Sequence, residues 1–464
     1  MTLALELANR IHALQYEDLT PAALEWTRGA FIDTVGCALA GMEEEAPQIA
    51  MRVAGVAGAT GPALIWATSR RTSVLDATLV NGTASHALDY DDVAGAMQGH
   101  PSAMLVPPLI ALAERVPATG RELALAYIVG FETECRIGRG VHDHHYDKGW
   151  HPTATLGIFG TVAAAARIVK LTPERTAVAL ALAASFASGL KSNFGTMTKP
   201  LHVGHATRNG LFAALMAAEG FTANAGTFEH KQGFLDVFNG PGTYDTAKML
   251  DGWYAPLECE GGANPGLKPY PCCRSTHACV DRMIELATTH GLTPETVARV
   301  EVMPHMRRLP HTDNPDPRTP LAAKFSIQYC IARALTERTV RLDHFEGDAH
   351  LDPAIRKLMQ RVEARAHPDM AADAPLQWGA EVIVHTTDGR RLASRLDDYP
   401  KRSPAGETLT RDELWTKFSD CAGRALPRAK VAALFEKLAA IETIGGAGDL
   451  TRLLEAQPPQ SRAA

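Results

Sequence analysis

Two stretches of the chain carry a histidine, then a proline, then a long apolar, alanine-rich run: Gly99-His100-Pro101-Ser102-Ala103-Met104-Leu105 and Trp150-His151-Pro152-Thr153-Ala154-Thr155-Leu156. Proline suits the first helical position, where its missing N–H costs nothing, and it pushes the preceding residue out of the helical region. Each pair predicts a buried helix with an imidazole at its mouth. That end of a helix attracts anions and disfavours imidazolium, so His100 and His151 are expected to be neutral bases. Lys199-Pro200 and Lys268-Pro269 repeat the arrangement with an ammonium. Four basic groups at four chain reversals predict a pocket for a small polyanion and proton-transfer chemistry.

The first 240 or so residues read as helix throughout, with apolar residues recurring at three and four. Thr20-Pro21 and Thr172-Pro173-Glu174 are capped helix starts. The small apolar runs 162–169 and 177–187 predict helices packed backbone to backbone. The texture changes after Gly261-Gly262. Residues 297–303 alternate as a strand does, and Asp388-Gly389 between the runs 380–385 and 392–396 predicts a hairpin. Helices are expected over 279–290 and 325–335, an exit loop at Tyr399-Pro400, and two further helices over 410–438, broken before Pro427. The last ten residues are expected to fray. The reading is a mainly α protein: an all-helical domain from residues 1–265 and 396–464, with residues 266–395 as a smaller inserted α+β lid.

A chain of 464 residues suits two or three domains. It is 46% hydrophobic and 21% charged, with a net charge of −6 and a pI near 6.3. That balance points away from nucleic acid and anionic membranes as partners. A polyanionic substrate must then be drawn by a local basic pocket. The eight cysteines are irregularly spaced, the first residues lack a basic-then-apolar leader, and no apolar run reaches membrane-spanning length. A reduced, cytoplasmic enzyme is expected.

Asp89-Tyr90-Asp91-Asp92 ends a predicted helix, where acids oppose the macrodipole and need some other partner. Asp89 and Asp92, three apart, are expected to share a face and to orient a base or hold substrate; a metal here would be Mg or Ca. His142-Asp143-His144-His145 resembles a metal tract and admits a metal-dependent hydrolase as a rival reading, although no third ligand stands out downstream; a mobile polar loop is the preferred reading. Near Lys199, Thr198 and His202 are candidate substrate contacts. Near Cys272-Cys273, Arg274 and His277 are better anion contacts than the thiols are nucleophiles. No Gly-rich phosphate loop, Gly-x-Ser-x-Gly elbow or spaced cysteine set is present. No metal, iron–sulfur cluster or nicotinamide cofactor is expected.

Taken together, Asn81-Gly-Thr-Ala-Ser-His-Ala-Leu-Asp89-Tyr-Asp-Asp, Gly99-His100-Pro-Ser, Gly149-Trp-His151-Pro-Thr, Phe194-Gly-Thr-Met-Thr-Lys199-Pro-Leu-His, Lys268-Pro-Tyr-Pro-Cys-Cys-Arg and Ala323-Lys-Phe-Ser resemble the MmgE/PrpD family, over residues 5–430. That family includes 2-methylcitrate dehydratase, cis-aconitate decarboxylase and iminodisuccinate epimerase. The resemblance implies a helical domain built from both chain ends, an α+β lid, a homodimer and a cofactor-free site. It carries pocket roles onto Asp89, His100, His151, Lys199 and Lys268. Val93 stands where the decarboxylase pattern has threonine, the stretch from Asp92 to His100 is one residue longer, and a pocket tyrosine has no counterpart near residues 311–313. Several of the motifs are closer to the epimerase-like branch.

These readings converge on a lyase that removes a proton next to a carboxylate of a small di- or tricarboxylate, with an epimerase or racemase as the alternative outcome. One of His100 and His151 is the base and the other the donor. Lys199 and Lys268 clamp carboxylates and take up developing charge, and Asp89 orients one of the bases.

Overall fold

The computed structural model describes residues 1–261, 265–370, 378–397 and 409–456. The protein is mainly α. It divides into two compact units, one of residues 1–193, 197–267 and 401–464, the other of residues 194–196 and 268–400. The exit loop expected at Tyr399-Pro400 and residues 457–464 of the last ten, which are expected to fray, lie outside the described residues.

The first unit is helical because its sequence leaves few other options. Long alanine- and leucine-rich segments are punctuated by helix starts that satisfy the first backbone N–H groups. Thr20 and Thr172 each accept from a backbone N–H three residues on, ahead of the helices Pro21–Gly41 and Pro173–Phe186. The two His-Pro pairs begin the helices Pro101–Ala113 and Pro152–Ile168, and both histidines are N-caps outside the helical region, as expected. Both helices are buried along nearly their whole length.

Small residues let the helices of this body approach closely. Gly82, in the helix Val74–Ala87, faces Gly204, in the helix Thr198–Ala218. A Cβ on Gly204 would stand 2.1 Å from Thr83 Oγ1 and 2.2 Å from the Leu79 carbonyl oxygen. Gly130 and Gly160 make a similar crossing, each blocked at 2.9 Å by the other's carbonyl oxygen. These crossings fix where the ends of the helices fall.

The second unit is α+β. Its four-stranded sheet runs in the order Val362–Ala364, Val297–Pro304, Ala380–Thr386, Arg391–Leu396. The first pair is parallel and the other two are antiparallel. Val300 pairs with Val362 on one side and Val384 on the other. The Asp388-Gly389 turn forms as expected, with Gly389 at φ 89°. The helices Arg274–His290 and Ile327–Glu337 share this unit's core with Val297, Val300, Val382 and Val384. The first of these helices starts five residues earlier than its periodicity predicts.

The tract His142–His145 is not a loop. It ends the helix Gly120–Asp147, which kinks at His142 (φ 50°, ψ −164°). His145 is buried, with Nδ1 3.2 Å from Asn239 Oδ1 and Nε2 2.7 Å from Thr155 Oγ1. Both ring nitrogens of His145 are thereby committed, and among the described residues no residue of this tract belongs to a group of three or more metal-ligating side chains. Among the described residues no helix is long and apolar enough to cross a membrane.

Candidate active site

The helix Val74–Ala87 delivers its C-terminus to the site. Leu88 caps it, and Asp89 then turns left-handed at φ 53°, a conformation aspartate tolerates better than most side chains. That reversal separates the three acids that follow. Asp89 and Asp92 do not share a helical face, because the helix has already ended.

Asp89 Oδ1 accepts from Lys199 Nζ at 2.8 Å, and both side chains are buried. Lys199 lies within the first turn of the helix Thr198–Ala218 rather than before it. A cation there opposes the macrodipole, and Asp89 offsets the cost. The acid at the wrong end of one helix and the ammonium at the wrong end of another thus compensate each other.

Asp91, which sequence reasoning did not single out, is the hub between two imidazoles. His86 Nδ1 donates to its carboxylate at 2.9 and 3.0 Å. His100 Nδ1 lies 3.2 Å from the same Oδ2, within ion-pair range though off the line of a good hydrogen bond. His100 Nε2 lies 3.5 Å from Asp89 Oδ1. Burial opposes charge on Asp91, but the adjacent His86 and His100 outweigh it and hold its carboxyl well below the usual range. Burial pushes His86 down, so a neutral imidazole donates to an ionised carboxylate. His86 is equally new to the site. Its only sequence signal was its place in the Ser85-His86-Ala87-Leu88-Asp89 run.

Asp92 behaves differently. Its Oδ1 accepts from Ser102 N–H at 3.0 Å and its Oδ2 lies 2.7 Å from Ser102 Oγ, which in turn meets Tyr127 Oη. Burial raises its pKa well above normal. Asp92 is thereby engaged by Ser102 at both oxygens and ties down the mouth of the helix Pro101–Ala113.

The two His-Pro starts are joined directly. His100 N–H donates to Thr153 Oγ1 at 3.2 Å, and a Cβ on Gly99 would stand 2.9 Å from Thr153 N and Oγ1. His151 N–H donates to the Gly189 carbonyl at 3.0 Å. Its Nδ1 lies 3.2 Å from His202 Nδ1, and its ring stacks 5.8 Å from that of His86, which is itself 4.4 Å from His100. Burial, then the nearby Lys199, pushes His151 well below its ordinary pKa. Burial likewise brings His202 to about 4. Both are neutral at physiological pH; this is as expected for His151, although burial rather than the helix mouth is the chief cause. The outcome is a cluster of two buried carboxylates, a buried ammonium and four imidazoles, of which His86 and His151 are buried and His100 and His202 half-buried. Thr198, half-buried, begins the helix that carries Lys199 and His202.

Lys268, Arg274 and His277 belong to the second unit. No helix follows Lys268-Pro269 directly; the next begins at Arg274. Lys268 is buried. Arg274 stacks on the Trp378 indole, 4.5 Å from its centroid, and Arg308 is 3.7 Å from the same ring. His277 is fully buried and its Nε2 lies 3.0 Å from the Cys272 carbonyl oxygen. A cavity of about 430 Å³ beside Gln98, Arg136, Arg139, His142 and Lys248 is separate from the imidazole cluster, none of whose members lines it.

Neutral imidazoles, an ionised orienting carboxylate and an ammonium fixed by a second carboxylate form a site for moving protons next to an anionic group. Residues 5–247 match the MmgE/PrpD N-terminal domain and residues 270–440 the MmgE/PrpD C-terminal domain, so the chain belongs to the MmgE/PrpD family and is an enzyme of lyase type. It is similar to a human protein named cis-aconitate decarboxylase, with 27% identity over 97% of this chain and 94% of the relative. The mouse protein of the same name is 26% identical over 98% and 94%. One from Aspergillus terreus is 24% identical over 97% and 95%.

Proposed function

We propose that the protein is a cofactor-independent lyase of a small di- or tricarboxylate, of dehydratase or decarboxylase type. The observation that carries this reading is the buried Lys199–Asp89 pair beside His100, whose Nδ1 lies 3.2 Å from Asp91. An α-proton of a carboxylate is weakly acidic, so its removal requires a placed base and a charge partner for the enolate-like product. Asp91 lies 3.2 Å from Nδ1 of His100 and Asp89 3.5 Å from its Nε2, and His100 serves as the base between them. Lys199, kept in place by Asp89, faces the developing charge. The neutral His151 serves as donor. Thr198 and His202 contribute contacts beside Lys199.

The names of the relatives support a tricarboxylate such as cis-aconitate. Val93 and the longer approach to His100 depart from the decarboxylase pattern and weigh against decarboxylation, which keeps the epimerase outcome as the alternative. Proton–deuterium exchange followed by NMR, against cis-aconitate, citrate-like and succinate-like acids, tests the reading. Release of carbon dioxide or water from one of these acids is the expected result. Exchange with inversion and no release would establish the epimerase outcome instead. No exchange with any of them would overturn the proposal.

We further propose a cytoplasmic homodimer joined through the helical unit. Val53, Val56, Leu190, Leu201 and Phe221 leave large apolar side chains exposed on that unit and support a subunit contact. Sedimentation equilibrium showing a stable monomer would remove this claim.

A further inference from the structure

The groups proposed to move protons also have the makings of a metal site. His86, Asp89, Asp91 and His100 each offer one ligand atom, and the four atoms lie within 4.8 Å of one another. His86 Nδ1 and His100 Nδ1 approach the same Asp91 Oδ2 at 2.9 and 3.2 Å. Zinc bound tetrahedrally at its usual 2.0–2.2 Å to nitrogen and oxygen separates neighbouring ligands by about 3.3 Å. The spacing already present therefore needs only small side-chain movements to close on an ion. Two imidazoles with two carboxylates suit zinc better than magnesium or calcium, which prefer oxygen alone. The sequence pointed to oxygen-preferring ions at Asp89–Asp92 because it did not place two histidines there.

The same geometry argues against a resident metal. Lys199 Nζ stands 2.8 Å from Asp89 and already neutralises part of the cluster's negative charge. A divalent ion must share the site with that ammonium. It would also take the nitrogen or oxygen lone pairs that position and perform proton transfer.

We propose that His86, Asp89, Asp91 and His100 form a latent zinc site whose occupation switches the enzyme off. Zinc enters in place of the proton held between the imidazoles and Asp91, and His100 is then no longer available as a base. The site is inhibitory and reversible, and it stands whichever carboxylate proves to be the substrate.

The test uses the full-length enzyme, stripped with chelator, and zinc alone as the probe. Zinc is titrated in competition with a chromophoric chelator, a readout that needs no substrate. One zinc per chain is expected. His86→Gln and Asp91→Asn should each weaken uptake by about tenfold or more, since each removes or alters a ligand. Lys199→Met should have the opposite effect and tighten it, because a like charge is gone. This opposite sign separates a site in the cluster from general loss of structure. Once an active substrate is in hand, zinc should abolish turnover and chelator should restore it. Zinc that goes wholly to the competing chelator would overturn the proposal. So would uptake unchanged in both His86→Gln and Asp91→Asn, or uptake that leaves turnover intact.

Discussion

Lys199 and Asp89, 110 residues apart in the chain, meet at 2.8 Å with both side chains buried. Each lies at the helix end that electrostatics disfavours for its charge, so each needs the other. Removing one leaves a buried charge without compensation, which is worse than removing both.

Lys199→Ala and Asp89→Asn should each lower turnover by about a hundredfold or more, and His151→Ala by a similar factor. Circular dichroism should show the helical content intact. Near-normal turnover in any of these purified, folded variants would overturn its assigned role.

Asp91 and Asp92 are adjacent and should part company on mutation. Asp91→Asn removes the ionised acceptor shared by His86 and His100, and kcat should fall by about a hundredfold with little change in melting temperature. Burial pushes the Asp92 carboxyl up, and Asp92→Asn, a neutral side chain of the same shape that can still bond Ser102, should leave kcat and KM close to normal. Asp92→Ala leaves the buried Ser102 N–H without its acceptor and should cost about 1–3 kcal/mol of stability in urea unfolding. A large rise in KM in Asp92→Asn would restore the substrate-binding role expected from sequence.

His145 provides a pH signature of folding. Burial lowers it from 6.5 to about 4 in the folded protein. Above pH 6.5 it is neutral whether folded or unfolded, and its environment contributes fully. As the pH falls from 6.5 to about 4 only the unfolded chain takes up the proton, so stability is lost across that window, by about 3 kcal/mol at pH 4. His145→Gln should show a shallower decline than the parent between pH 7 and pH 5. Parallel declines in the two proteins would place the titration elsewhere.

Gly204→Ala places a methyl group 2.1 Å from Thr83 Oγ1 and 2.2 Å from a carbonyl oxygen of the crossing helix. Overpacking of this kind costs about 1–3 kcal/mol. Because the crossing also sets Lys199 against Asp89, turnover should drop more than the stability loss explains. Full activity in a destabilised Gly204→Ala protein would show that the ion pair tolerates movement of the helices.

Features carried by adjacent residues were legible in the sequence. His100-Pro101 and His151-Pro152 start helices because proline constrains its neighbour whatever the tertiary context. The Asp388-Gly389 hairpin follows from the positive φ that glycine accepts. The site itself was half legible. Periodicity placed Asp89 and Asp92 on one face, but Asp89 adopts a left-handed turn, and the sign of φ at an aspartate cannot be read from its neighbours. That turn brings Asp91 back onto His86, five residues earlier, and sends Asp92 to Ser102. Lys199-Pro200 resembled the His-Pro starts, yet the helix begins at Thr198, one residue before the lysine. The polar tract at His142 suggested a loop, but Asn239 and Thr155, both remote in sequence or on another helix, hold His145 inside.

The crossing of Gly82 and Gly204 has a wider consequence for how this enzyme can be retargeted. The spacing of the two helices that carry acid and ammonium is set by main chain against main chain. Side chains elsewhere around the substrate can then be exchanged without resetting that gauge. A designer seeking a new carboxylic acid for this scaffold should leave the two glycines alone and vary Val93 and the residues leading to His100, where shape can change while the proton-moving centre stays in register.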